Sequence, residues 1–437
     1  MSNSPLKVGL LGLGTVGSGV VRILQENQES ISIKVGRRLE ITRALVQNLD
    51  APRQVNVDSI MLTTNPAEII NDPQLDIIVE VMGGIEPART YILDSLHCGK
   101  SVVTANKDLL ALDGRELLDT ASQQGKDLFF EASVAGGIPI IAALKQSLAG
   151  NQIKQLAGII NGTTNYILTA MTNQGRDYAD VLKEAQELGY AEADPSSDVD
   201  GLDAARKLAI LASIAFGSRV TLNDVFTEGI TRISKADLTY AKELNCCVKL
   251  LALAQEDEGR IELRVHPAFI PNSHPLSSVN GVFNAVYVVG DAVGETMFYG
   301  RGAGSMPTGS AVVADLMQVA RNITSGTSGI SNCSCYRQLE IKPTAEFKSA
   351  YYVRLQVKDE PRVLASLAHM FAEAGISFAS IIQKPRPQQE AEIVLVSHPC
   401  QEGQLQQAVE YLKVYSKVLS ISNIIRVEGG NSWSGKD

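Results

Sequence analysis

A lysine and several carboxylates lie close together in the middle of the sequence. Asp203 and Lys207 are four residues apart at the start of a predicted helix, a spacing that places both side chains on one face. An acidic loop, residues 190–201, precedes this helix and follows Gly189, a residue typical of a helix end. The carboxylates of this loop belong to Glu192, Asp194, Asp198 and Asp200.

Two interpretations of the Asp203–Lys207 pair are open from spacing alone. Exposed lysine–carboxylate pairs are common on helices, and each contributes little to stability. The remainder of the helix, residues 208–216, is apolar on every side, which predicts that it is buried. A half-buried lysine beside a carboxylate is suited to proton transfer, so the helix favours an acid/base role for Lys207.

A glycine-rich segment near the N-terminus predicts a dinucleotide site. Residues 7–11 form a short apolar strand, and a helix over 18–25 follows the intervening G-x-G-x-x-G motif. Such glycines permit a tight turn, a close approach to a pyrophosphate and close packing of helix on strand. The helix N-terminus then offers N–H groups to the anion. The motif consists of Gly12, Leu13, Gly14, Thr15, Val16 and Gly17.

The sequence leaves the choice between NAD and NADP open. An acidic residue after the second strand, predicted at 40–46, would bind the ribose of NAD, whereas a nearby arginine would accept the 2′-phosphate of NADP. Gln47 occupies this place and is neither acidic nor basic. Because Arg43 and Arg53 are nearby, the pattern favours NADP or the use of both cofactors.

Three further turns carry polar or glycine residues at strand ends. Residues 104–107 (Thr-Ala-Asn-Lys) follow a predicted strand at its carboxyl end, where open α/β sheets bind ligands. Residues 131–139 combine Glu131 with a glycine-rich turn, which suits either a cation held by oxygen ligands or an ordinary strand-to-helix connection. Residues 299–308 form a second glycine-rich turn before a long helix that ends near Asn322.

The order of predicted elements indicates an α/β protein with three folded parts. Alternating apolar strands and helices predict a Rossmann-type, doubly wound parallel sheet over residues 1–135. An α+β catalytic and dimerisation domain is expected over 136–323, largely helical between 223 and 254. A linker over 324–349 precedes a βαββαβ, ferredoxin-like module over 350–428, and a disordered tail follows from 429 to 437.

Composition excludes several classes of protein. A formal net charge of −9 gives no support for a nucleic-acid partner, and no apolar run is long enough for a membrane helix. The first predicted strand begins at Lys7, and no residues before Leu6 resemble a signal or transit peptide. Six cysteines without a disulfide or zinc spacing indicate reduced thiols, so a cytoplasmic location is expected.

Residues 185–207 resemble the signature of homoserine dehydrogenases at every fixed position, A-x3-G-Y-A-x2-D-P-x2-D-V-x-G-x-D-x3-K. The resemblance implies reversible hydride transfer between NAD(P) and the C4 of aspartate 4-semialdehyde, giving L-homoserine. It further implies that Lys207 donates the proton and Asp203 orients it, while substrate is bound by Glu192, Asp203 and Lys107. Cofactor contacts are implied for the glycine motif and for Thr104, Lys107, Gly189 and Gly302.

The same resemblance implies a structural, sodium-type cation at the turn over 131–139. Its ligands would be Glu131 and the backbone carbonyls of Val134, Gly136 and Ile138. The activity itself needs no catalytic metal, because the cofactor carries the hydride.

The C-terminal module resembles an ACT domain, an amino-acid-sensing unit of biosynthetic enzymes. L-Threonine is the implied effector, although Arg362 stands where similar modules have glycine. A homodimer or homotetramer is expected. Two alternatives stay open: an oxidoreductase for another amino-acid semialdehyde, and a non-catalytic regulator that binds nucleotide and amino acid.

Overall fold

The structure, a computed structural model, describes residues 4–329 and 333–429. The chain divides into two compact units: unit 1 contains residues 1–154, 206–224 and 283–338, and unit 2 contains residues 155–205, 225–282 and 339–437. Residues 430–437 of the predicted disordered tail lie outside the described part. All six cysteines are free thiols. No described helix combines the length and apolar character needed to cross a membrane.

The first part of unit 1 is the predicted parallel sheet. Its strands lie in the order β3-β2-β1-β4-β5-β6 and every neighbouring pair is parallel. The strands are β1 Leu6–Leu11, β2 Leu39–Leu45, β3 Met61–Thr63, β4 Ile77–Glu80, β5 Ser101–Thr104 and β6 Leu128–Phe129. The helices are α1 Thr15–Glu26, α2 Gln28–Val35, α3 Ala67–Ile70, α4 Ala88–His97, α5 Lys107–Gln123 and α6 Ile140–Ala142.

The predicted Rossmann-type fold is confirmed, with one strand shorter than expected. The apolar residues of 127–132 predict a last strand over that whole range. Strand β6 ends at Phe129 instead, and a 3₁₀ turn, Glu131–Ser133, follows it. The difference arises because the backbone N–H of Glu131 donates to Asp315 Oδ2 at 2.7 Å instead of continuing the strand ladder.

The middle of the chain contains one error of prediction. Helices α7 Gly162–Gln174, α8 Tyr178–Glu187, α9 Ser196–Val199, α10 Leu202–Phe216 and α11 Lys235–Glu243 are accompanied by strands β7 Ile153–Ile159, β8 Phe226–Thr227, β9 Cys246–Asp257 and β10 Arg260–Pro271. The expectation of a largely helical segment over 223–254 was wrong, because β9 occupies its end. Leucine and alanine favour helix in isolation, but twelve antiparallel residue pairs with β10 bury this segment in the sheet.

Unit 1 is completed by β11 Phe283–Gly290, β12 Gly294–Arg301 and α12 Ser305–Ser325. Strand β12 was not predicted, and it pairs antiparallel with β11. Its side chains alternate between half-buried and exposed, which gives a weak apolar signal. Helix α12 packs against α1 in the core of the nucleotide fold, where Val312, Leu316 and Val319 are fully buried.

The C-terminal module has the predicted βαββαβ order. Its elements are β14 Lys348–Lys358, α13 Val363–Glu373, β15 Phe378–Arg386, β16 Glu390–Ser397, α14 Glu402–Val414 and β18 Val418–Val427, with the short strands β13 Glu340–Ile341 before and β17 Cys400–Gln401 within it. Four strands lie in the ferredoxin-like order β18-β14-β16-β15. Strand β18 also pairs in parallel with β10, so in unit 2 the module continues the sheet β7-β9-β10. The proposed domain boundaries stay a prediction.

Candidate active site

The first glycine-rich turn has the backbone geometry that a dinucleotide requires. Gly12 has φ +105°, and a Cβ on Gly17 would lie 2.3 Å from the carbonyl oxygen of Gly12, so neither position admits a side chain. Gly14 caps α1. A cavity of about 720 Å³ opens at the carboxyl ends of the strands and is lined by residues 12–14. This is where a doubly wound sheet binds its nucleotide.

The same cavity distinguishes the two arginines that could bind a 2′-phosphate, because only one of them lines it. Gln47 and Arg53 line it, together with Asn48 and Ala51. Arg53 donates to the carbonyl of Asn48, and its Nε is buried without a hydrogen-bond partner in the described chain. The guanidinium of Arg43 instead lies 2.6 Å from the carboxylate of Asp72. Arg53 is therefore the better placed of the two to meet a ribose substituent.

The ends of β4 and β5 are joined by a buried hydrogen bond. The hydroxyl of Thr104 donates to Glu80 Oε2 at 2.6 Å, so a cofactor contact by Thr104 would come from its backbone. Asn106 caps α5 by accepting from the N–H of Leu109 and donating to the carbonyl of Gly84 at 2.7 Å. Lys107 is the first residue of α5, and its side chain is half-buried.

The second glycine-rich turn lies against two other predicted site segments within unit 1. Gly137 donates to the carbonyl of Arg301 at 3.0 Å, and a Cβ on Gly136 would lie 2.4 Å from the carbonyl oxygen of Gly302. The hydroxyl of Ser305 donates to the carbonyl of Thr15 at 2.7 Å. The turn that includes Gly302 thus contacts both the nucleotide loop and the predicted cation turn.

The predicted cation turn fits a ligand set of backbone oxygens better than one of carboxylates. Both oxygens of Glu131 accept backbone N–H groups, from Ile141 at 2.8 Å and from Ala142 at 2.6 Å. Burial raises the pKa of Glu131 although these hydrogen bonds oppose the shift. Positive φ angles at Ala135 and Gly136 redirect successive carbonyls. The described residues contain no cluster of three His, Cys, Asp or Glu side chains that could hold a metal.

Helix α10 carries the predicted acid/base pair. Asp203 is buried and Lys207 is half-buried, one turn further along the same helix. Most of residues 208–216 are buried, as the apolar pattern predicted. Within unit 1, Arg206 Nε lies 3.3 Å from Asp108 Oδ1, which joins this helix to the first turn of α5 beside Lys107.

In unit 2, Asp203 belongs to a hydrogen-bonded group with Asn161 and Asp198. The side-chain nitrogen of Asn161 lies 2.8 Å from Asp203 Oδ2 and 2.6 Å from Asp198 Oδ1. The sequence presents Asp198 as one of several loop carboxylates, and Asn161 as the first residue of a turn, 161–165, that resembles a segment beside the substrate pocket of homoserine dehydrogenases. The position of Asn161 directly after a buried strand was the available signal, but its partner lies 42 residues away.

Two further predicted site residues, Gly189 and Glu192, are exposed to solvent. Gly189 has φ +74°, so it ends helix α8 in the left-handed conformation that the sequence predicted. Glu192 is exposed, and its backbone carbonyl accepts from the side chain of Gln186 at 3.0 Å. Thr163 donates to the carbonyl of Tyr190 at 2.6 Å, which ties this loop to the start of α7.

Three family models match the chain. Residues 12–131 match the model described as homoserine dehydrogenase, NAD binding domain, residues 139–317 match homoserine dehydrogenase, and residues 351–415 match the ACT domain. Fold and site together define an NAD(P)-dependent oxidoreductase that acts on a CH–OH group. A homoserine dehydrogenase of Bacillus subtilis (strain 168) is 46% identical, over 98% of this chain and 99% of its own. The chain belongs to the homoserine dehydrogenase family, as the signature predicted.

Solved structures agree with this assignment. The homoserine dehydrogenase of Thiobacillus denitrificans superposes with a TM-score of 0.92 at 43% identity, covering 98% of this chain and 99% of that one. A hyperthermophilic archaeal homoserine dehydrogenase in complex with NADPH has a TM-score of 0.62 at 28% identity, covering 72% of this chain and 97% of its own.

Proposed function

We propose that the protein catalyses reversible hydride transfer between a nicotinamide cofactor and the C4 of aspartate 4-semialdehyde, with L-homoserine as the alcohol. The observation that carries this proposal is helix α10, which presents a half-buried Lys207 one turn from a buried Asp203. Family membership supports the substrate. The reaction belongs to the biosynthesis of threonine, methionine and isoleucine.

Lys207 is assigned the proton transfer. A bound nicotinamide cofactor would supply the hydride to C4 when the aldehyde is reduced. The ammonium group of Lys207 donates the proton that the carbonyl oxygen needs. In the reverse direction the neutral amine of Lys207 removes that proton from the hydroxyl. Asp203, one turn earlier on the same helix, is assigned the orientation of the lysine. Both charges lie near the start of a helix whose apolar remainder is fixed by packing.

Substrate recognition is assigned to three charged residues. Glu192 and Asp203 suit the substrate's α-ammonium group, and Lys107 suits its carboxylate or carbonyl oxygen. The exposure of Glu192 is compatible with this role, since a loop carboxylate at the surface pays little desolvation before a ligand arrives. Replacing Glu192 by Gln should raise KM for homoserine more than it lowers kcat.

NADP is the expected cofactor, with NAD as a second one. Arg53 lines the nucleotide cavity and Gln47 places no negative charge there, which is compatible with a 2′-phosphate. The archaeal relative solved with NADPH supports the same choice. Thr104, Lys107, Gly189 and Gly302 remain proposed contacts. A sodium-type cation at Glu131, Val134, Gly136 and Ile138 is proposed to stiffen the turn against Gly302 through backbone oxygens.

The ACT module is proposed to mediate feedback inhibition by L-threonine in a homodimer or homotetramer. Arg362 caps α13 with φ +75°, a conformation that favours glycine, and its side chain is exposed. The residue therefore strains the turn rather than filling it. A threonine titration of native enzyme and of Arg362→Gly measures its effect, and stronger inhibition of the variant would show that Arg362 hinders the effector. A cytoplasmic location stays a prediction.

One assay separates the three candidate functions. Oxidation of L-homoserine should reduce NADP and NAD at rates well above those with a homologous amino alcohol that has one more methylene. A preference for the longer alcohol would favour another semialdehyde oxidoreductase. Nucleotide binding without turnover would favour the non-catalytic regulator and contradict the proposal.

A further inference from the structure

A single buried amide joins two carboxylates of the proposed active site. Asn161 is 4% exposed, and its Nδ2 atom lies 2.6 Å from Asp198 Oδ1 and 2.8 Å from Asp203 Oδ2. A primary amide carries two N–H bonds, so each carboxylate receives one of them. Asp203 is itself buried, and Asp198 is half-buried. The two anions therefore meet at one neutral donor.

The orientation of this amide is determined by the helix that it caps. Asn161 precedes α7, and its Oδ1 accepts from the backbone N–H and from the hydroxyl of Thr164, both at 2.9 Å. A flipped amide would direct its oxygen at two carboxylates and its nitrogen at an N–H group. Because that arrangement loses both hydrogen bonds to the carboxylates and the one from the backbone N–H of Thr164, helix α7 fixes which side of Asn161 faces the acids.

A neutral donor is significant because of the charges that surround it. Two carboxylates near one another disfavour each other's ionisation, and hydrogen bonds to the charged form oppose that effect. An arginine or lysine at position 161 would also hold the acids, but it would neutralise them. An asparagine supplies two donors and leaves both negative charges for other cations, including Lys207 and the substrate ammonium.

We propose that Asn161 is a positioning residue of the dehydrogenase reaction, which holds Asp203 and Asp198 side by side as anions in fixed orientations. The inference rests on the proposed function, because it assumes that Asp203 acts on Lys207 and on substrate. Asn161 itself touches neither cofactor nor reacting atoms in this assignment. Its effect is exerted through the two carboxylates.

Two substitutions separate the donor role of Asn161 from its capping role. Aspartate and serine are both good N-caps, so Asn161→Asp and Asn161→Ser preserve the start of α7. Neither residue supplies two N–H donors, and aspartate adds a third anion. We expect Asn161→Asp to lower kcat/KM for homoserine by about 100-fold at pH 7 and Asn161→Ser by about 10-fold. Asn161→Asp should also move the acid limb of the pH profile upward by about one unit.

Asn151→Asp is the matched control for the added charge. Asn151 accepts from the N–H of Val293 at 2.8 Å and donates to the carbonyl of Leu148, in a turn of unit 1 that carries no proposed site residue. Its pH profile and kcat/KM should equal those of the native enzyme. Thermal unfolding of all three variants shows whether a loss of rate reflects a loss of fold, and Asn161→Ser retains the test if Asn161→Asp does not fold.

The results distinguish this inference from the function on which it rests. If Asn161→Asp and Asn161→Ser are within twofold of native kcat/KM with an unshifted acid limb, Asn161 has no positioning role, although the dehydrogenase assignment stands. A lowered rate without any shift of the acid limb in Asn161→Asp would likewise contradict the electrostatic account. A native enzyme that does not oxidise homoserine contradicts the proposed function itself.

Discussion

In unit 2, carboxylates inside the protein accept hydrogen bonds from two different kinds of donor. We compare one group of each kind. In the proposed active site, Asp203 accepts from the neutral amide of Asn161. Where the ACT module continues the sheet, Asp237 accepts from Arg354 Nε at 2.9 Å, from the hydroxyl of Tyr352 at 3.1 Å and from Asn423 at 2.9 Å. An arginine is thus among the donors to the second group, whereas the first group shares the neutral amide of Asn161.

Glu402 repeats the arrangement of the second group. One of its oxygens accepts from Arg426 at 2.8 Å and from the hydroxyl of Tyr351 at 2.8 Å. Burial alone would raise the pKa of Asp237, but the hydrogen bonds from Arg354, Asn423 and Ser234 lower it. A buried arginine compensates the charge of the carboxylate that it contacts, whereas an amide donates a hydrogen bond and leaves that charge unchanged.

Lys249 is the cationic counterpart of the active-site arrangement. Its ammonium group donates to Asn165 Oδ1 at 3.2 Å, to the carbonyl of Val279 at 2.5 Å and to Asn280 Oδ1 at 3.0 Å, all neutral oxygens. Burial lowers its pKa to about 8. Neutral partners thus bind a buried ammonium group without compensating its charge. As a result, Lys249 loses its proton at a lower pH than an exposed lysine does.

The largest expected effect is on catalysis at Lys207. Lys207→Ala should lower kcat by two or more orders of magnitude with nearly unchanged cofactor affinity, because a general acid acts in the transition state. Steady-state kinetics and cofactor titration measure both quantities. Lys183→Ala, an exposed lysine on α8, is the matched control. Near-native turnover of Lys207→Ala would contradict the proton-transfer role. It would also remove the functional difference between Asp203 and the carboxylates that arginine binds.

The comparison itself is tested by the same substitution in each group. Asp237→Asn removes a charge-assisted hydrogen bond from Arg354, which keeps Glu392 as its other carboxylate at 3.2 Å, and should lower the free energy of unfolding by about 1–3 kcal/mol. Asp203→Asn should lower kcat strongly and change stability by less than about 1 kcal/mol. Chemical denaturation and kinetics on both variants give the two readouts. Equal losses of stability would show that the two groups do not differ as described.

A smaller effect is expected on the preference between NAD and NADP, which we assign to Arg53. Arg53 makes no ion pair within the described residues, in contrast with Arg354. Gln47→Asp should shift the ratio of kcat/KM values toward NAD by about tenfold, because the new charge repels a 2′-phosphate. Arg53→Ala should act in the same direction. An unchanged ratio in both variants would place the ribose elsewhere.

An effect on stability alone, without one on catalysis, is expected from Lys249 as the pH changes. Its pKa is about 8 in the folded protein and 10.5 in the reference state, so between these values the unfolded chain binds more protons. Stability contributed by this group therefore rises with pH from about 8 to 10.5, by at most about 3 kcal/mol. Lys249→Met should abolish this rise in denaturation measured at several pH values. A persistent rise would assign it to another group.

Local patterns in the sequence were sufficient for the parts whose structure depends on near neighbours. The nucleotide turn was predictable because Gly12 and Gly17 have backbone positions that exclude a side chain. The burial of α10 followed from an apolar surface on every side, and the βαββαβ order of the C-terminal module followed from alternating elements. The signature around Lys207 predicted the family, which the comparisons confirm.

Tertiary structure decided the features that depend on distant partners. Strand β9 has a helix-favouring composition and became a strand because β10 pairs with its whole length. The sequence does not distinguish Arg53 from Arg43 as a cofactor residue. The structure does, because Asp72 binds Arg43. The link from Asn161 to Asp203 spans 42 residues, a distance over which the spacing of side chains in the sequence carries no information. Hydrogen bonds reach about 3 Å, so which buried charges are neutralised is decided when the fold brings their donors together.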